Sequence, residues 1–346
     1  MSQFLIPNYL QVAIQRLQKK DWFIHAFDLT DDKDLYVCSN YLVNSNIKYT
    51  LKLDNNIYQF IINSYKKEKV TEQFKDGIAL VIFCQIANIT IDPQYAIYEK
   101  INHSRDSFLL NDCIDSLEIF RQIDNTPTDE LAKYLLGERY SYEVIEKLAL
   151  DREKLKSGLI QHERLIEWDS MYLIILMITH CHSCKDLSNF EKLKKIIQLM
   201  IQDFRQSLVC FIFATIFFGR NPAKRMMKFK VSDNKQKKLQ DIQNMTWDLY
   251  FMNRFFREQQ NKESNQEYIY ASDDKALKKI IITALNYQKT NDLKILNSHW
   301  DYEKLQEIDA LYSSLLKQPR AYLSNKWSYE YSQNLIREYE KKLGLE

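Results

Sequence analysis

The chain has 346 residues, 45% apolar and 27% charged, which excludes collagen-like, low-complexity and wholly disordered polymers and leaves a packed globular protein. Its 48 basic and 46 acidic side chains give a formal charge of +2, so a polyanionic or membrane partner must be met by a local patch. With only 5 Gly and 5 Pro an all-β architecture is disfavoured, because tight hairpins rely on these residues for their special dihedrals.

Residues 1–46 hold an amphipathic stretch over 9–17, an apolar cluster at Trp22, Phe23, Ile24 and Phe27, and turn-forming sequence at 30–34. They read as an N-terminal segment packing on the main fold. The opening lacks a basic leader followed by a continuous apolar stretch, so a cytoplasmic chain is expected. Its six cysteines, at 38, 84, 113, 181, 184 and 210, are scattered through a chain that needs no disulfide framework, and reduced thiols follow.

Over 47–53 apolar and polar residues alternate strictly, the period of a half-buried strand, and the strand ends at Asp54. Apolar residues then recur three and four apart over 57–65 and 70–88, as on the inward face of helices. The short run Ile89-Thr90-Ile91 precedes Asp92-Pro93, and proline in a first turn predicts a helix over 93–101. Residues 105–240 are helical by periodicity. The apolar runs 171–178 and 209–218 fall short of the roughly 18–20 residues that span a bilayer, so both read as buried core helices and no membrane partner is expected. A helix over 246–257, a polar connection over 258–266 and a buried strand over 268–271 come next, and Ser272-Asp273-Asp274 opens another helix. A short strand at 293–296 and helices over 302–316 and 329–343 complete the pattern. Strands separated by helices imply a parallel sheet.

Several acids fall at the carboxyl end of a predicted strand or early in the following helix, the edge where open α/β sheets bind ligands. They are Asp54, Glu99, Asp248, Asp273 and Asp274. Carboxylates converging from distant segments repel one another unless a cation or protons offset the charge, and Mg²⁺ or Mn²⁺ suits an oxygen-only set.

In these blocks the sequence resembles the PIN-domain nucleases and their PIN-like relatives. That family has a strand ending in Asp-x-Asn, matched by Asp54-Asn55-Asn56; a Glu early in the helix after the second strand, matched by Glu99; an Asp in a later helix, matched by Asp248; and a strand followed by Thr/Ser-x-Asp, matched by Ser272-Asp273-Asp274. The resemblance implies a three-layer α/β/α core with a small parallel sheet and metal-dependent phosphodiester hydrolysis, most often of RNA. By it Asp54, Glu99, Asp248 and Asp274 are the catalytic metal-holding acids around Mg²⁺ or Mn²⁺, with water as the nucleophile. Asp273 is an extra ligand, and Asn56 and Ser272 orient ligands from behind. The long gap from Glu99 to Asp248 requires a large helical insertion, and it makes Asp169, ahead of an apolar helix, a rival for the third acid.

A polyanionic substrate needs cations. Lys224, Arg225, Lys228, Lys230, Lys235, Lys237 and Lys238 lie just before Asp248, and Lys275, Lys278 and Lys279 follow Asp274. Of these Lys224, Arg225, Lys228, Lys230, Lys275 and Lys278 are the expected nucleic-acid contacts, giving affinity with strong salt dependence and little sequence preference.

Each block also has a plainer explanation. Ser272, Asp273 and Asp274 suit a helix N-cap, Asp248 suits the positive end of a helix dipole, Glu99 an ordinary surface acid, and Asp54-Asn55-Asn56 a turn. The basic stretch suits a solvated face, and the aromatic residues around Trp247 suit a core. His180-Cys181-His182-Ser183-Cys184 lacks the second ligand pair of a zinc site.

The expected fold is thus α/β and predominantly helical, with a 1–46 N-terminal segment, a PIN-like core split into 47–104 and 241–300, a helical insertion over 105–240 and C-terminal helices over 301–346. The expected function is a metal-dependent nuclease acting on RNA or single-stranded DNA, with a second copy or an accessory regulatory protein as further partner. The alternative is a non-catalytic helical module that binds nucleic acid or protein.

Overall fold

The computed structural model describes residues 7–26, 35–43, 46–67, 69–102, 106–144, 150–161, 166–223 and 225–346. Phe27, the turn at 30–34 and Lys224 lie outside them. The chain divides into two compact units, the first comprising 1–163 and 258–273 and the second 164–257 and 274–346, so the boundary near the carboxyl edge falls between Asp273 and Asp274.

The first unit contains α1 (Asn8–Lys20), β1 (Phe23–His25), α2 (Cys38–Val43), β2 (Lys48–Leu53), α3 (Asn55–Lys66), α4 (Glu72–Ile86), β3 (Ile89–Asp92), α5 (Gln94–Ile101), α6 (Ser107–Asp124), α7 (Thr128–Leu136) and α8 (Arg152–Gln161). The second contains α9 (Ile166–Ser183), α10 (Asn189–Gln198), α11 (Leu208–Phe217) and most of α12 (Lys235–Asn261). The last residues of α12 and β4 (Gln266–Ala271) return to the first unit, and α13 (Lys275–Thr290), α14 (Tyr302–Leu316) and α15 (Tyr329–Leu343) belong to the second.

The described sheet has four strands in the order β1-β4-β2-β3. Strands β3, β2 and β4 are parallel, so their carboxyl ends share one edge, while the three-residue β1 pairs antiparallel with β4. The sheet is therefore mixed, because part of the N-terminal segment joins it as an edge strand. In-register pairing puts Tyr49, Leu51, Leu53, Ile89, Ile91, Ile269 and Ala271 on one face, where they join the apolar core with α3 and α4. Helix α4 is buried along nearly its whole length, and Gly77 permits its approach to α3: a Cβ there would lie 3.1 Å from the Ile61 amide nitrogen. Buried Asp76 on α4 pairs with Arg16 at 2.8 Å and Lys20 at 2.9 Å, which ties α1 to the same face.

Within the second unit α11 and the 168–178 span of α9 are core helices, as their apolar runs imply, and no described helix is long and apolar enough to cross a membrane. Two elements differ from the sequence reading. Residues 293–296 form a 3₁₀ turn held by the Asp292 carboxylate, which accepts from the Lys294 N–H, rather than a strand. Helix α12 runs unbroken for 27 residues, absorbing the end of the lysine-rich stretch from Lys235 and part of the polar connection, since Lys, Gln and Leu are good helix formers and Ile242 and Met245 are buried. All six cysteines are free thiols.

Candidate functional site

At the carboxyl edge of the first unit, register places Leu53 of β2 beside Ala271 of β4, so the residues that follow each strand emerge together. The Asp54 N–H extends the ladder by donating to the Ala271 carbonyl at 2.9 Å. Asp54 stands at the N-cap of α3, yet its carboxylate makes no capping hydrogen bond; it accepts instead from the Ser272 hydroxyl at 2.8 Å. Ser272 is 2% exposed, and its N–H donates to the Trp22 carbonyl at 3.1 Å. The exposed Asp273 accepts from the Trp22 indole N–H at 2.9 Å. Two acid blocks separated by more than two hundred residues therefore share one edge, joined through Ser272. Asn56 is exposed in the first turn of α3, and Glu99 lies half-buried on α5.

Beneath this edge is a charged cluster that sequence reasoning missed. Lys52 is 6% exposed and meets Asp92 at 2.7 Å and Glu258 at 3.7 Å. Its ammonium lies 5.5 Å from the ring centroids of both Tyr95 and Tyr268, and the Tyr95 hydroxyl donates to Glu258 at 2.8 Å. Asp92 also accepts from the Gln94 N–H at 2.9 Å, which starts α5. The available signal was a lysine two residues before Asp54 and an acid at the same register of the next strand.

In the second unit Asp248 and Asp274 line one small pocket together with Arg225, Met226 and Met245. Asp248 sits well inside α12 rather than in its opening turn, so the helix-dipole explanation does not apply to it. Burial pushes its carboxyl above the usual carboxylate range, the Lys228 ammonium at 2.7 Å pulls it back, and the Asp274 charge pushes it up further. Asp274 does cap α13, accepting from the N–H groups of Ala276 at 2.7 Å and Leu277 at 3.1 Å. Asp169, the rival acid, is buried on α9 and accepts from Gln333 at 3.1 Å; it does not line the pocket. Arg225 is exposed with a left-handed φ of 68°, Lys230 and Lys275 are exposed, and Lys278 is half-buried.

Among the described residues no three His, Cys, Asp or Glu side chains form a group that could hold a metal ion. In the first unit the structure joins one acid, Asp54, to the Ser272 hydroxyl, and in the second it brings two acids, Asp248 and Asp274, to one pocket. This second set is oxygen-only, with Asp248 already paired to the Lys228 ammonium at 2.7 Å and Asp274 already capping α13. Comparison with protein-family profiles, curated proteins and solved structures returns no match, so the resemblance to PIN-like nucleases stands on these residues alone.

Proposed function

We propose that this protein is a metal-dependent nuclease that hydrolyses phosphodiester bonds, with RNA as the first substrate to test. The observation that carries the reading is the Asp54–Ser272 hydrogen bond. It spends the side chain of a helix-capping aspartate on a partner at the carboxyl end of the next strand, the edge at which α/β sheets bind ligands. Asp54 in the first unit, and Asp248 with Asp274 in the second, are the residues that would hold Mg²⁺ or Mn²⁺, whereas Glu99 and Asp273 complete no three-carboxylate group among the described residues. When bound, such an ion neutralises phosphate charge and makes water acidic enough to act as a nucleophile at neutral pH. The Ser272 hydroxyl donates to the Asp54 carboxylate and orients it, and Asn56 is an exposed residue in the first turn of α3. Lys228 is held by Asp248, and Arg225, Lys230, Lys275 and Lys278 would contribute phosphate contacts that weaken as salt rises.

The test is cleavage of end-labelled single-stranded RNA by the full chain with Mn²⁺, alongside thermal unfolding. Asp54→Asn is expected to abolish cleavage with an unchanged melting curve in the absence of metal. The wild type is expected to gain thermal stability with Mn²⁺, a gain lost in Asp54→Asn/Asp274→Asn, because a ligand that binds only the native state stabilises it. Undiminished turnover in Asp54→Asn overturns the proposal.

A second reading, a non-catalytic helical module, is favoured by one observation. Asp273, Asp274 and Asp248 each have a local partner, in the Trp22 indole, the α13 amides and Lys228 respectively. RNA retention without cleavage, and with no Mn²⁺-dependent stabilisation, selects it.

A further inference from the structure

The second unit contains a pocket of about 380 Å³ that the acid sets do not line. It is walled by Phe190, Phe218 and Trp300, its charged side chains are Arg220 and Lys304, and no acidic residue lines it. The aromatic wall is held in place: Phe190 and Trp300 meet with centroids 5.5 Å apart, and the Trp300 indole N–H donates to the Thr215 carbonyl at 2.8 Å. The cationic side is held as well. The Arg220 N–H donates to the His299 carbonyl at 3.0 Å, and only glycine fits at 219, where a Cβ would lie 2.8 Å from the His299 Cβ.

The charge lining the pocket is positive. The Lys304 ammonium stands 5.7 Å and 5.8 Å from the centroids of Phe190 and Trp300, and Lys194, 4.8 Å from that of Phe190, pairs with Glu307 at 3.5 Å. Arg220 pairs with Asp301 at 2.9 Å, but both side chains are exposed, and such a pair exchanges at little cost. Ser188 and Asn189, also in the lining, open α10, where the Ser188 hydroxyl accepts from the Glu191 N–H and the Glu191 carboxylate accepts from the Ser188 N–H. Concave, aromatic and cationic surroundings of this size suit a small ligand with a flat apolar body and one negative end.

We propose that this pocket binds a small organic anion carrying a flat aromatic ring, of about the size of a nucleoside monophosphate, with its ring against Phe190 and Trp300 and its anionic group on Arg220 and Lys304. The site is independent of the nuclease reading. The shared chemistry is ring plus anion, which a phosphate or a carboxylate can supply.

The test is calorimetric titration of the full chain with AMP, indole-3-acetate, adenosine and inorganic phosphate. At least one of the first two is expected to bind at one site, with adenosine and phosphate about tenfold or more weaker. AMP alone identifies the phosphate source and indole-3-acetate alone the carboxylate source. Arg220→Gln and Lys304→Met, both exposed substitutions, should each weaken binding about tenfold while leaving thermal unfolding unchanged. Asp54→Asn should bind as the wild type does, which separates this site from the acid edge. Failure of both ring-bearing anions to bind overturns the proposal, as does binding indifferent to both substitutions.

Discussion

Lys52 and Asp92 face each other across neighbouring parallel strands, and the ammonium meets the carboxylate at 2.7 Å with the lysine almost wholly covered. The alternation over 47–53 assigns this lysine to an open face of a half-buried strand. Tyr95, Tyr268 and Glu258 cover it instead, which makes a polar cluster part of the support beneath Asp54.

Removing the cation leaves two carboxylates without it, whereas removing Asp92 leaves Lys52 with Glu258. Lys52→Met is therefore expected to cost about 3 kcal/mol in urea unfolding and Asp92→Asn less, about 1–2 kcal/mol, because Asp92 is partly exposed. The reverse order would show that Glu258 contributes nothing to holding the lysine.

The Asp248 carboxyl is held above its unfolded value, so the native state takes up its proton at a higher pH than the unfolded chain does. The ionised group costs stability above the folded pKa, and that cost disappears as pH falls to the unfolded value near 4. The stability difference between Asp248→Asn and wild type should thus move in favour of the variant as pH rises from 4 to 7. A difference constant across this range would refute the assignment.

His299 behaves in the opposite sense. It is 1% exposed, and burial, aided by the Lys279 charge, holds its imidazole below the ordinary value of 6.5. Its neutral form is compatible with the fold, so its contribution is intact above pH 6.5 and is lost as pH falls from there through the depressed native pKa. His299→Phe should flatten the decline of melting temperature between pH 7 and 5. An unaltered slope would assign the acid sensitivity to other groups.

Gly219 marks a close approach rather than a special dihedral. A methyl group there meets the His299 Cβ at 2.8 Å and the Thr215 carbonyl oxygen at 3.1 Å. Gly219→Ala is expected to lower stability by about 1–3 kcal/mol, as overpacking does, measured by chemical denaturation. Gly158, where a Cβ meets nothing within 4 Å, provides the control: Gly158→Ala, inside α8, should be neutral or stabilising.

The sequence by itself determined the local elements that rest on short-range patterns. The strand ending at Asp54, the helix after Pro93, the strand before Ser272 and the buried helices over 171–178 and 209–218 follow from apolar period, proline position and length, all of which act within a few residues. Tertiary structure alone decided how those pieces meet. It paired β2 with β4 so that Ser272 reaches Asp54, buried Lys52 against an acid forty residues away, set Asp248 inside a long helix against Lys228, and enclosed an aromatic pocket with Arg220 and Lys304. Register and side-chain partnership are cooperative properties of the packed chain, and no window of neighbouring residues contains them.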